Sequence, residues 1–358
     1  MLYSIYMTLL SGEQTNSRDS PVQTVQIGST EMIVLEPNQI RRLVSMEAAI
    51  HCVRDAFIAL ARGEFDHPPR LSSADDGFLC MVARKSSSKE TVVKAVTISP
   101  SDGHAKSPRI QSVAIWFDGA SGKPKGILDG ACLTAIRTGA ASGVATDLLA
   151  SPDSKILCMI GSGAQAPDQI DAVCSVRDIQ EIRIFSRNLE TAEVLARSVA
   201  NSRPNVKVEV ADSVRAALAD ADVVCCATTS VRPLVFLDDL KSNVHINAIG
   251  AHTHSMCELD TQVLVKSRIL LVDSIEAAMR EAGDIVRALE AGLISQDHVS
   301  ELGQFLINPG DTPSSGLTVF KSVGIAAQDW AIASFAIARV LSESQFQFDH
   351  LSPAPNGI

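Results

Sequence analysis

A chain of 358 residues with 46% hydrophobic and 20% charged side chains has the make-up of a globular protein, which excludes wholesale disorder. Lys and Arg number 31 against 41 Asp and Glu, a formal charge of −10, and no basic run exceeds two residues, so a nucleic-acid polyanion is repelled. Eight cysteines without a C-x-x-C pair exclude a disulfide framework and a zinc site of that pattern, and imply a reducing, cytoplasmic setting.

No apolar run reaches the roughly 18 residues that a membrane helix needs. The segment MLYSIYMTLL is apolar but lacks a basic flank, so residues 1–28 read as an extension rather than a secretory signal. MIVLE (32–36) is a strand candidate. Ser45 is placed to cap a helix in which Ile50, Val53, Phe57 and Leu60 recur at helical spacing as far as Gly63. Residues 78–82, 92–98 and 112–117 read as strands. LTAIRTGAASGVATDLLA (133–150) is a helix so rich in Ala, Gly and Ser that its backbone can approach a neighbour closely.

From residue 151 the pattern changes. Strand candidates at 155–160, 181–185, 206–210 and 223–228 alternate with helix candidates, including 189–201 and 213–219. Such alternation predicts a doubly wound parallel sheet over 151–324, extended by strands at 245–250 and 268–273. A last helix, 329–341, has no strand after it and returns to the first domain.

Gly161-Ser162-Gly163-Ala164-Gln165-Ala166 follows the apolar strand KILCMI directly and opens a helix, the context a dinucleotide turn requires. Its first Gly serves the tight turn and its second the approach of a pyrophosphate, while helix N–H groups face the anion. A plain glycine turn is the competing reading. At the next strand end stand Ser186, Arg187 and Asn188 where an NAD site usually places a carboxylate. Arg187 can pair with a 2′-phosphate, so NADP(H) is expected over NAD(H); the alternative is a solvated surface arginine.

Arg70 after Pro68-Pro69, Lys94 within the strand TVVKAVTI, and Arg137 within the small-residue helix are cations in apolar surroundings. Buried cations need an anion. A shared ligand carboxylate is one account, and separate internal pairs with residues such as Asp129 or Asp147 are the other. Thr228, Thr229 and Ser230 end one strand and Gly250 another, at the sheet edge where ligands bind. His252 either carries a proton there or merely closes the cleft. No metal site is expected.

The stretches PPR (68–70), VVKAVT (92–97), LTAIRTGAAS (133–142), IGSGAQA (160–166), ADVVCCATTS (221–230), HINAIGAH (245–252), ELD (258–260), Gly283-Asp284 and TVFKSVG (318–324) resemble the ornithine cyclodeaminase/mu-crystallin family. The resemblance implies a Rossmann domain over 151–324 and a second α+β domain, 29–150 with 325–358, that binds substrate and forms a homodimer. It implies substrate and catalytic roles for Arg70, Lys94 and Arg137, and adds Thr138, Lys321 and Ser322 to the cofactor contacts. It also implies hydride transfer at the α-carbon of an amino or imino acid.

Two departures narrow the choice. Where cyclodeaminases and archaeal alanine dehydrogenases carry an acid/base Asp, this sequence has His252; where mu-crystallin-like members have SHQ, it has Arg109-Ile110-Gln111. The expected activity is therefore reduction of a small cyclic imino acid, Δ1-pyrroline-2-carboxylate or Δ1-piperideine-2-carboxylate. The alternatives are an ornithine cyclodeaminase, an opine-type or amino-acid dehydrogenase, and a non-enzymatic binding protein.

Overall fold

The computed structural model describes residues 22–73, 77–99, 110–309 and 315–351. Arg109 therefore lies outside the described residues, as do residues 1–21 of the expected extension. Two eight-stranded sheets organise the chain.

The first sheet is built from β1 (Gln23–Ile27), β2 (Thr30–Leu35), β3 (Phe65–Asp66), β4 (Leu71–Ser72), β5 (Phe78–Lys85), β6 (Thr91–Ile98), β7 (Ile110–Phe117) and β8 (Pro124–Asp129). Its order is β1-β2-β8-β7-β6-β5-β3, with β4 also on β5. Residues 23–27, expected in the extension, instead form β1, because Gly28 at φ 61° turns the chain back to pair antiparallel with β2. Short helix α1 (Pro37–Leu43) leads to α2 (Met46–Ala61), whose cap is Ser45 Oγ accepting from the Ala48 N–H at 3.3 Å.

Helix α3 (Gly130–Leu149) starts at a cap made by Asp129, whose Oδ1 accepts from the Cys132 N–H at 2.7 Å. Its small residues permit the close approach expected of them. A Cβ on Gly139 would fall 2.5 Å from the Asp168 carbonyl oxygen, and one on Gly143 would meet the Ile50 side chain. Leu35, Phe57, Trp116 and Leu133 anchor the first core.

The second sheet is wholly parallel. It runs through β9 (Ile156–Ile160), α4 (Ala166–Val176), β10 (Glu181–Phe185), α5 (Leu189–Ser202), β11 (Lys207–Val210), α6 (Val214–Leu218), β12 (Val223–Cys226), β13 (His245–Ala248), α7 (Thr261–Lys266), β14 (Ile269–Val272), α8 (Ile275–Glu281), α9 (Gly283–Glu290), β15 (Ser300–Glu301), α10 (Leu302–Ile307) and β16 (Thr318–Lys321). The order is β11-β10-β9-β12-β13-β16-β14-β15, a doubly wound Rossmann arrangement beside the first, α+β half. Strand β16 enters from the far end of this half and separates β13 from β14. Cores on both faces explain the uninterrupted apolar runs. Burial pushes the thiols of Cys158, Cys225 and Cys226 far up, so they pack as small apolar groups.

The last helix, α11 (Ala326–Leu351), is longer than expected at both ends. Its Ile332, Ala336 and Ile337 are wholly buried in the first core. No helix among the described residues is long and apolar enough to cross a membrane.

Candidate active site

The chain crosses over between β9 and β12, and a cleft opens at their carboxyl ends, the switch point where such sheets hold ligands. Gly161, Ser162, Gly163, Ser186, Arg187, Thr228, Thr229 and Ser230 line it. Gly161 has φ 108°, and a Cβ there would strike the Ala227 carbonyl oxygen at 2.5 Å, so only glycine makes this turn. A Cβ on Gly163 would meet nothing within 4 Å, which leaves its backbone open to a ligand. Ala164 is exposed beside it, Gln165 precedes α4, and the side chain of Ala166 is fully buried. These features fit a dinucleotide pyrophosphate. Arg187 is exposed with no side-chain partner among the described residues, whereas Asn188 Oδ1 is committed to capping α5 through the Thr191 N–H.

The three cations gather in one region, and each already has an internal partner. Lys94 Nζ donates to Asp329 Oδ1 at 2.7 Å and to Thr134 Oγ1 at 3.0 Å. Arg137 Nη1 donates to Gln328 Oε1 at 2.6 Å, and its Nε lies 3.5 Å from that same Asp329 oxygen. Arg70 pairs with Glu281 and donates to the His252 carbonyl at 3.3 Å. Neither carboxylate considered from sequence is the partner: Asp129 caps α3, and Asp147 pairs with Arg54 and Arg177.

Lys94 and Arg137 thus share one fully buried carboxylate, so one positive charge is left over. Arg137 Nε and Asp329 Oδ2 have no hydrogen-bond partner among the described residues. Burial lowers the Lys94 pKa to about 8; Asp329 opposes that shift, and the charges of Arg137 and Arg70 reinforce it.

A polar scaffold connects the cleft with this pocket. Glu258, fully buried, accepts from Thr228 N and Oγ1, Gly250 N and Ala251 N at 2.7–3.0 Å. Asp284 accepts from the N–H groups of Glu258 and Leu259, and Lys321 Nζ lies 3.0 Å from its other oxygen. Two residues beyond Gly250, His252 Nδ1 meets the Gly250 carbonyl at 2.8 Å, so Nδ1 carries the hydrogen and Nε2 the lone pair. Burial holds its pKa below the ordinary value, so the ring is neutral.

Several expected cofactor contacts therefore have other duties. Lys321 is wholly enclosed by Asp284 and Glu258. Ser322 Oγ donates to Asp273 Oδ2 at 2.7 Å, which also receives the Val323 and Gly324 N–H groups. Thr138 Oγ1 donates back to the Thr134 carbonyl at 2.7 Å. Gly250 is a packing glycine, since a Cβ there would overlap the Thr228 backbone. Asp329, Glu281 and Asp273 escaped the reading of the sequence, and Glu258 was met there only within the ELD stretch, with no role assigned. For Asp329 a signal existed: a carboxylate inside the apolar helix AAQDWAIASFA needs a buried cation.

A dinucleotide-type cleft on a doubly wound sheet, with two buried cations on one carboxylate in the other half, defines a Rossmann-type protein. The chain belongs to the ornithine cyclodeaminase/mu-crystallin family, whose model matches residues 30–344. A Delta(1)-pyrroline-2-carboxylate reductase of Bacillus cereus is 33% identical over 322 residues, covering 87% of this chain and 97% of that protein. The ketimine reductase mu-crystallin of Mus musculus is 33% identical over 258 residues, 72% of this chain and 79% of its own length. In structure the chain resembles the Thermococcus litoralis Delta(1)-pyrroline-2-carboxylate reductase in complex with NADH and L-proline. The TM-score is 0.82 at 32% identity, covering 87% of this chain and 98% of that one.

Proposed function

We propose that this protein is a nicotinamide-dependent reductase that converts a small cyclic imino acid, such as Δ1-pyrroline-2-carboxylate, into the corresponding L-amino acid. The observation that carries this reading is the Lys94–Asp329–Arg137 cluster, which lacks one negative charge and meets the nucleotide half where Arg137 packs against Gly324, just after β16. Bound reduced nicotinamide supplies the hydride.

The protein's own residues orient the acceptor. Arg137 and Lys94 hold the substrate carboxylate, which keeps the α-carbon in one position. Arg70, already matched by Glu281, borders the pocket without contributing free charge. The imino acid binds as its protonated iminium, and His252 Nε2, unprotonated, accepts a hydrogen bond from that N–H, so that hydride addition at the α-carbon gives the amine directly. The first half acts as the substrate-binding domain and the nucleotide half as the cofactor domain. The apolar outer face of the first sheet, with Val113 40% and Phe78 41% exposed, supports homodimer formation.

The deciding assay follows loss of reduced nicotinamide with cyclic imino acids, alongside ammonia release from ornithine. Imine reduction without ammonia release is expected. Ammonia formation at a comparable rate would favour the lyase, against which the placement of His252 where the lyases have an acid/base Asp counts.

Both nicotinamide dinucleotides fit the turn, and the unpartnered Arg187 favours the phosphorylated form. Arg187→Ala should weaken NADPH binding by about 1–3 kcal/mol while leaving NADH within a factor of about two. Equal affinities for the two cofactors in the parent protein would defeat this preference.

The state of Lys94 gives a pH dependence of known sign. Below about pH 8 it is protonated and holds an anion; above, the pocket loses its surplus charge. Affinity for pyrrole-2-carboxylate, an unreactive planar acid, should therefore fall as pH rises through about 8. Lys94→Arg should flatten that fall, because arginine keeps its proton. An unchanged profile in the variant would remove Lys94 from the anion site.

A further inference from the structure

Strands β12 and β13 pair in parallel and end side by side, with Cys226 opposite Ala248. Beyond β12 stands Thr228, on the wall of the dinucleotide cleft; beyond β13 stand Gly250 and Ala251, the two residues before His252. One carboxylate joins these two ends. Glu258 Oε1 accepts from Thr228 N and Oγ1 at 2.7 and 2.9 Å, and Oε2 accepts from Gly250 N and Ala251 N at 2.8 and 3.0 Å. The join is tight, since a Cβ on Gly250 would overlap the Thr228 backbone and fall 2.5 Å from Glu258 Oε1. Glu258 is itself held in place. Asp284 Oδ1 accepts from the N–H groups of Glu258 and Leu259, and a Cβ on neighbouring Gly283 would strike the Met256 carbonyl oxygen. The charges facing Glu258 are Lys321, 3.9 Å from Oε2, and Asp284, which holds the same lysine at 3.0 Å.

Glu258 is fully buried and lines neither the dinucleotide cleft nor the pocket around Arg70, so it acts on ligands only through the backbone it holds. We propose that Glu258 is a positioning residue for hydride transfer, whose carboxylate fixes the spacing between the cleft wall at Thr228 and the imidazole of His252. This rests on His252 accepting from the iminium N–H. Loss of the spacing costs rate more than affinity, because each ligand keeps its own contacts while their mutual orientation is lost.

The test is single-turnover reduction of Δ1-pyrroline-2-carboxylate by bound NADPH, with NADH in parallel, in the parent protein, Glu258→Gln, His252→Ala and the double variant. A glutamine keeps one acceptor oxygen and turns an N–H2 group towards backbone N–H groups, at Thr228 or at Gly250 and Ala251, so one strand end is released. Lys321 keeps Asp284, so the substitution strands no buried charge. Glu258→Gln should slow hydride transfer about 10- to 100-fold, while the Kd values of the dinucleotide and of pyrrole-2-carboxylate stay within about fivefold. In the His252→Ala background the same change should alter the rate by less than about threefold, because the ring it positions is gone. Melting temperatures are read on every preparation, and Glu258→Asp, too short to reach both strand ends, replaces the Gln variant if that one does not fold. Equal slowing in both backgrounds, or none in either, overturns the positioning role and leaves His252 in place. A His252→Ala variant as fast as the parent removes His252 from the reaction, and the role of Glu258 with it. Failure of the parent protein to reduce the imine overturns the activity itself, and the positioning role falls too.

Discussion

Arg137→Met should leave a folded, cofactor-binding protein that has lost most of its imine reduction. The guanidinium contributes a charge-assisted hydrogen bond worth roughly 1.5–3 kcal/mol, so kcat/KM is expected to fall about 10- to 160-fold. Both KM and kcat should change, because position is lost along with affinity. Dinucleotide binding should hardly move, since the Gly161 turn belongs to the other sheet. Asp329 keeps Lys94 as its counterion at 2.7 Å, so the substitution strands no buried charge. Steady-state kinetics, cofactor titration and melting on one preparation check this. Parental turnover in a folded variant would dismantle the proposed mechanism.

Asp329→Leu should act on stability first. It leaves Lys94 and Arg137, 2% and 6% exposed, without their shared anion. Removing one side of a buried pair costs about 3–5 kcal/mol, and two cations depend on this one. A fall of roughly 6 °C or more in Tm is expected, taking about 2 °C per kcal/mol for a chain of this size. Lys94 should then deprotonate well below pH 8, because the group that supports its charge is gone. Differential scanning calorimetry decides the matter, and a Tm within a degree of the parent would mean that Asp329 does not hold the cations.

Much of the nucleotide half was legible because its strands are buried on both faces and its turn carries the glycine that φ 108° demands. Ser45 and Gly63 marked the ends of α2 for equally local reasons. What escaped depended on long-range pairing. Strand β16 lies between β13 and β14 because of how the crossovers run, and no local pattern encodes that. Lys94 and Asp329 are 235 positions apart, so the lysine reads in the sequence as a cation awaiting an external anion. Lys321 and Ser322 sit in a stretch that resembles the family, yet their side chains face Asp284 and Asp273 in the interior. Resemblance located the segment. Only the fold could tell a residue that touches the cleft from one that braces it.

The seating of α11 has a consequence for biosynthesis. The first sheet leaves the ribosome early, yet its core lacks Ile332, Ala336 and Ile337 until the C-terminal helix follows. Until then Lys94 has no Asp329, and the face around it stays open to water. The nucleotide half occupies a continuous stretch, from β9 to β16, and can close as soon as that stretch emerges. The half made second can therefore close first, while the half made first waits on α11 to complete its core.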